Sequence, residues 1–114
     1  MAQVTYVHEA TLVLLGGDDG APGAAVTVAL CGHAEHTEPC RWPHHTSSYR
    51  QGDRRIVRTV AVAPENELDE VTGRIRRALM GGPWTVVSQG ETAPTRDEQA
   101  LAARLRRGVN KSGG

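Results

Sequence analysis

This 114-residue chain has no formal net charge, 39% hydrophobic residues, and two Trp and two Tyr with no Phe, so one domain with a core of Val, Leu, Ile and Ala is expected. No apolar run approaches the roughly 18 residues that cross a bilayer. The opening Met-Ala-Gln-Val-Thr-Tyr lacks the basic and apolar regions of a leader, so a cytoplasmic location without membrane contact is expected.

Residues 1–40 hold five acids (Glu9, Asp18, Asp19, Glu35, Glu38) and no Lys or Arg, while residues 41–114 hold all thirteen bases. Complementarity within the fold, or between copies of it, is the expected use of that asymmetry. A neutral domain lacks the basic footprint of a nucleic-acid binder.

In chain order, Val4–Leu15 is β-branched, aromatic and apolar, and predicts a strand closed by Gly16-Gly17. His8 is expected to be exposed or hydrogen-bonded on it. Residues 16–24 are rich in Gly, Pro and Asp and predict a loop. Ala25–Cys31 alternates, with Val26, Val28 and Leu30 on one side, and predicts a second strand in a hairpin with the first. Residues 32–53 show no period and predict a long loop.

Arg54–Ala63 predicts a third strand, ended by Pro64. Glu65–Met80 predicts a helix. Leu68, Val71, Ile75 and Leu79 form its apolar stripe, acids crowd its start and arginines its end. Gly81-Gly82-Pro83 stops it. Trp84–Ser88 predicts a short strand and Gln89–Pro94 a turn. Thr95 and Glu98 form a capping box for a second helix to about Arg107, with Gly108 ending it and 109–114 a loose tail. The expected fold is a single α+β domain over 1–108. Its elements run β-β-β-α-β-α, the sheet is mostly antiparallel, and two helices lie on one face. The arginine pairs Arg74/Arg77 and Arg104/Arg107 are expected to be solvated helix ends rather than a phosphate grip.

The stretch 31–46 concentrates the chemistry, with both cysteines, four of the five histidines and Trp42. Thiolates and imidazoles close in sequence favour Zn2+. Cys31, His33, His36 and Cys40 suit a tetrahedral site, and His44 or His45 could replace an inner histidine. Adjacent histidines seldom serve one ion, so one of that pair is expected to stay outside the shell. Gly32 permits a sharp turn and Pro39 stiffens the approach to Cys40. A Cys31–Cys40 disulfide is the competing organiser. It would contribute roughly 2.5–3 kcal/mol, against on the order of 10 kcal/mol for a structural zinc. Trp42 is expected to anchor the loop or face a partner.

His33-Ala34-Glu35 resembles the His-x-Glu of zinc nucleoside and base deaminases, and Pro39-Cys40 resembles the opening of their Pro-Cys-x-x-Cys. That resemblance would give a zinc-activated water with Glu35 as proton carrier. The chain departs from the pattern at Pro43, which stands where the second cysteine belongs. The expected function is a small zinc-binding module used for interaction or regulation, with a protein partner or a second copy. Two alternatives use the same zinc: a metal-dependent enzyme with an open coordination position, and a nucleic-acid-binding domain with a structural ion.

Overall fold

The computed structural model describes residues 3–15, 19–31 and 41–112, with side chains to residue 107. Its elements are β1 (Gln3–Leu14), α1 (Ala21–Cys31), β2 (His44–Gln51), β3 (Arg54–Pro64), α2 (Leu68–Met80), β4 (Trp84–Glu91) and α3 (Arg96–Ser112). A 3-10 turn at Glu65–Glu67 leads into α2. The strands form one antiparallel sheet in the order β2-β3-β1-β4. This is a split βαβ arrangement, β-α-β-β-α-β, with an added C-terminal helix. The α+β class and the antiparallel sheet are as the sequence predicts.

Two core clusters lie on opposite faces of the sheet. On one, Tyr6, Ala10 and Leu12 of β1 and Val57, Ala61 and Ala63 of β3 pack against Val26 and Leu30 of α1 and Val71, Ile75 and Leu79 of α2. On the other, Val7, Val60 and Val62 pack against Leu101, Ala102 and Leu105 of α3. Period-two alternation along β1 and β3 therefore feeds both layers. The two helices read from the sequence, α2 and α3, lie on opposite faces; the companion of α2 is α1.

That companion corrects the reading of residues 25–31, which are helix and not strand. Val26 and Leu30 are four apart, so they share a face in a helix as well as in a strand. Val28 separates the two cases: it would be buried in a strand but is 44% exposed here. The unpatterned loop is corrected too, because residues 44–51 form β2, joined to β3 by a tight turn at Gly52-Asp53. Gly52 has φ +66°, which a side chain resists. At the other end, α3 passes Gly108 and runs to Ser112.

Elsewhere local chemistry matches the prediction. The Thr95 N–H donates to Glu98 Oε1 at 2.9 Å, and the Glu98 N–H donates to Thr95 Oγ1 at 3.2 Å. After α2, the Trp84 ring folds so close to Gly82 that any Cβ there would collide with it. The indole N–H of Trp84 donates to the Leu79 carbonyl at 2.6 Å, helping to close the helix end.

The charge asymmetry is used internally. Arg55 pairs with Asp19 at 2.6 Å, and Arg58 pairs with Glu9. In both, a base from the second part of the chain meets an acid from the first.

Candidate functional site

Among the described residues, only Cys31 and His44 of the sequence-predicted ligands come together, Sγ to Nδ1 at 3.9 Å. Cys31, the last residue of α1, is disulfide-bonded and so offers no thiolate. Cys40 is the chain's other cysteine; it lies outside the described residues, as do His33 and His36. His44 and His45 open β2 and, being adjacent on a strand, project to opposite faces. Among the described residues no group of three or more His, Cys, Asp or Glu side chains can hold a metal ion. The zinc expectation is corrected accordingly, and with it the metal-dependent functions built on it. Loop composition suggests ligands, but strand geometry parts His44 from His45 and the disulfide takes the Cys31 thiolate.

What forms instead is a cleft of about 370 Å³ between the first turns of α1 and β2, lined by Gly20, Gly23, Ala24, Thr27 and residues 44–48. Side chains at even positions of β2 point to its floor. His44 is half-buried there. Its Nδ1 donates to the Trp42 carbonyl at 3.1 Å, and its Nε2 lies 3.4 Å from Thr27 Oγ1. A carbonyl can only accept, so Nδ1 carries the proton and Nε2 accepts from the threonine. Cys31 Sγ lies 3.9 Å from the same Nδ1. Thr46 meets Thr59 of β3, hydroxyl to hydroxyl, at 3.2 Å. The lining holds hydroxyls and imidazoles, with no Asp, Glu, Lys or Arg.

Trp42, just before β2, fixes this margin of the fold. It is fully buried, and its indole N–H donates to Glu67 Oε1 at 2.8 Å. The Arg41 and Arg74 guanidinium carbons lie 4.3 and 5.0 Å from its ring centroid. It acts as an anchor, one of the two expected roles.

The outer side of β2 is the second part of the site. The Val62 N–H donates to the Pro43 carbonyl at 3.0 Å. That bond sets the phase of the ladder: His45, Ser47, Tyr49 and Gln51 exchange bonds with β3. The amides of Thr46, Ser48 and Arg50 then point away from the sheet. β2 ends the strand order, and its register with β3 is unbroken from His44 to Gln51. It contains no Pro, Lys or bulge, the usual guards of an edge. The other edge, β4, is different: its register with β1 shifts between Thr11 and Leu12.

Of the two expectations for His8, the hydrogen-bonded one holds, in a buried polar chain on the α1/α2 side of the sheet. Tyr6 Oη lies 2.7 Å from His8 Nδ1, and His8 Nε2 lies 2.8 Å from Gln89 Oε1. The amide oxygen must accept, so His8 is protonated on Nε2 and its Nδ1 accepts the hydrogen bond donated by the Tyr6 O–H. His8 is 1% exposed. Burial pushes its pKa down against the support of Gln89, and Arg76 pushes it the same way as burial. Burial likewise raises Tyr6, opposed by a hydrogen bond from Thr72. With both ring nitrogens engaged, the network is a satisfied core element rather than a reactive one.

No family model matches this sequence. No curated protein and no solved structure matches it either.

Proposed function

We propose that this domain is an interaction module that accepts an additional β-strand along the outer edge of β2, which no strand covers among the described residues. The carrying observation is the outward row of amides at Thr46, Ser48 and Arg50 on an in-register edge strand. Strand addition uses such amides for affinity and neighbouring pockets for side-chain choice. The cleft beside β2 supplies a pocket, lined by Thr27, His44, Thr46 and Ser48. Its uncharged lining suits small polar side chains of an incoming strand.

Nucleic acid is a poor partner on this reading. Arg41, Arg55, Arg58 and Arg74 are all paired with carboxylates of the same chain. The disulfide at Cys31 also favours an oxidising compartment over the cytoplasm.

Two proline variants test the module, because ladder phase makes them unequal. Ser48→Pro removes an outward N–H and leaves the bonds to β3 intact; Ser47→Pro removes an N–H bonded to Arg58. The probe is a displayed library of random eight-residue peptides selected on the wild-type chain. Extended, β-prone peptides should be enriched, and Ser48→Pro should lose them while its melting temperature stays near wild type. Failure to enrich any, or equal capture by folded Ser48→Pro, overturns the reading.

A further inference from the structure

We infer that the strand accepted by β2 is β2 of a second copy of this chain, paired antiparallel about a two-fold axis at Ser48. This rests on the strand-accepting reading and names its partner.

Only some registers are geometrically open. Two copies that continue one sheet antiparallel are related by an axis perpendicular to it, so each face meets the same face. Paired residues must then have the same parity. The outward amides sit at Thr46, Ser48 and Arg50, with the phase set by the bond from Val62 to Pro43. A two-fold at Ser48 places Ser48 opposite Ser48 and Thr46 opposite Arg50 of the second copy. Each of those pairs exchanges both backbone bonds. Between them, Ser47 faces Tyr49 of the second copy, and Tyr49 is 48% exposed in the single chain.

Charge fits this pairing. Arg50 is the one Lys, Arg, Asp or Glu residue of β2, and the register holds the two Arg50 side chains at opposite ends of the junction. Like charges directly opposite would destabilise a sheet. The chain as a whole carries no net charge, so two copies approach without a repelling monopole.

An isologous junction also accounts for an edge strand without Pro, Lys or a bulge. It consumes one β2 edge from each copy and then closes, so growth stops at two. What remains outermost is β4, whose register with β1 skips Val87, a bulge that disrupts further pairing.

The junction completes the cleft as well. Thr46 lines it, and Arg50 of the second copy arrives directly opposite Thr46 on the same face. A cleft that holds no Lys or Arg in one chain gains a guanidinium at its mouth in two.

The test is the solution mass of the full oxidised chain by light scattering and sedimentation across a concentration series. Wild type should rise to twice the monomer mass, and folded Ser48→Pro should stay at the monomer mass. Charge variants keep the test sharp should the proline variant misfold. Ser48→Lys alone and Ser48→Asp alone should each be monomeric, and an equimolar mixture should return to twice the monomer mass. A wild-type chain that stays monomeric throughout, or a Lys/Asp mixture that does not associate, overturns the inference. Monomeric wild type that still selects peptides in a Ser48-dependent way removes only the second copy. Monomeric wild type that selects none removes the strand-accepting reading too.

Discussion

Arg58 and Glu98 meet through two parallel hydrogen bonds. Arg58 Nε donates to Glu98 Oε2 and Arg58 Nη2 to Glu98 Oε1, each at 2.7 Å. Glu98 is also the capping residue of α3, accepting the Thr95 N–H. One carboxylate thus joins helix start to sheet centre. The Arg58 bond holds its pKa down at about 2, against the opposing effect of burial and with help from Thr95.

The acid response follows from that. A carboxylate depressed on folding contributes stability that is complete above its unfolded value of 4.5 and disappears as pH falls through about 2. Stability measured by denaturant should fall across that window, and Glu98→Gln should flatten it. At neutral pH the same variant should cost about 2 kcal/mol, between a surface pair and a buried one.

His8 gives a second dependence at milder pH. Its pKa is lowered on folding, so between that lowered value and 6.5 the unfolded chain binds a proton that the folded chain does not. Stability should be full above 6.5 and decline as pH drops below it. His8→Phe should remove this slope. It should also cost about 1–3 kcal/mol by leaving Tyr6 Oη and Gln89 Oε1 without their imidazole partner. Denaturant midpoints at several pH values check both.

Trp42 separates packing from hydrogen bonding. Trp42→Ala should cost about 3–5 kcal/mol, the range for a buried large side chain. Trp42→Phe keeps most of the packing and loses the bond to Glu67, which should cost about 1 kcal/mol. Thermal melts of both rank the two contributions.

Reduction probes the end of α1. Breaking the Cys31 disulfide should lower stability by about 2–3 kcal/mol. A chelator added to the oxidised chain should leave the melting temperature unchanged. A fall in melting temperature with chelator would restore the metal.

These tests rest on parts of the chain that differ in legibility. The stripe Leu68, Val71, Ile75, Leu79 has only a helical reading, and three of the four are fully buried on α2. Thr95 and Glu98 announce α3 because their bonds are local. Val26 and Leu30 are ambiguous by arithmetic, since a spacing of four satisfies both periods. β2 carries no apolar alternation because it is a mostly exposed edge, and its one local signal is Gly52-Asp53 placed before a clear strand. The site was the least legible. The side of β2 taken by His44 and His45 depends on a ladder that residues 44–51 do not announce. Nor does sequence proximity decide whether two cysteines bind a metal or each other. The i, i+2 spacing on a strand puts Tyr6 on the same face as His8, but nothing local announces Gln89, which the last strand brings.

That placement of β1 has a consequence in time. Its neighbours are β3, where Gln3 faces Pro64, and β4, where His8 faces Glu91. β1 precedes both in the chain and must wait for them, the second more than eighty residues later in the case of His8. Contacts this distant close slowly. Until both have paired, β1 is an apolar strand with an open edge, and in that interval the chain is most exposed to chaperones and to other copies of itself.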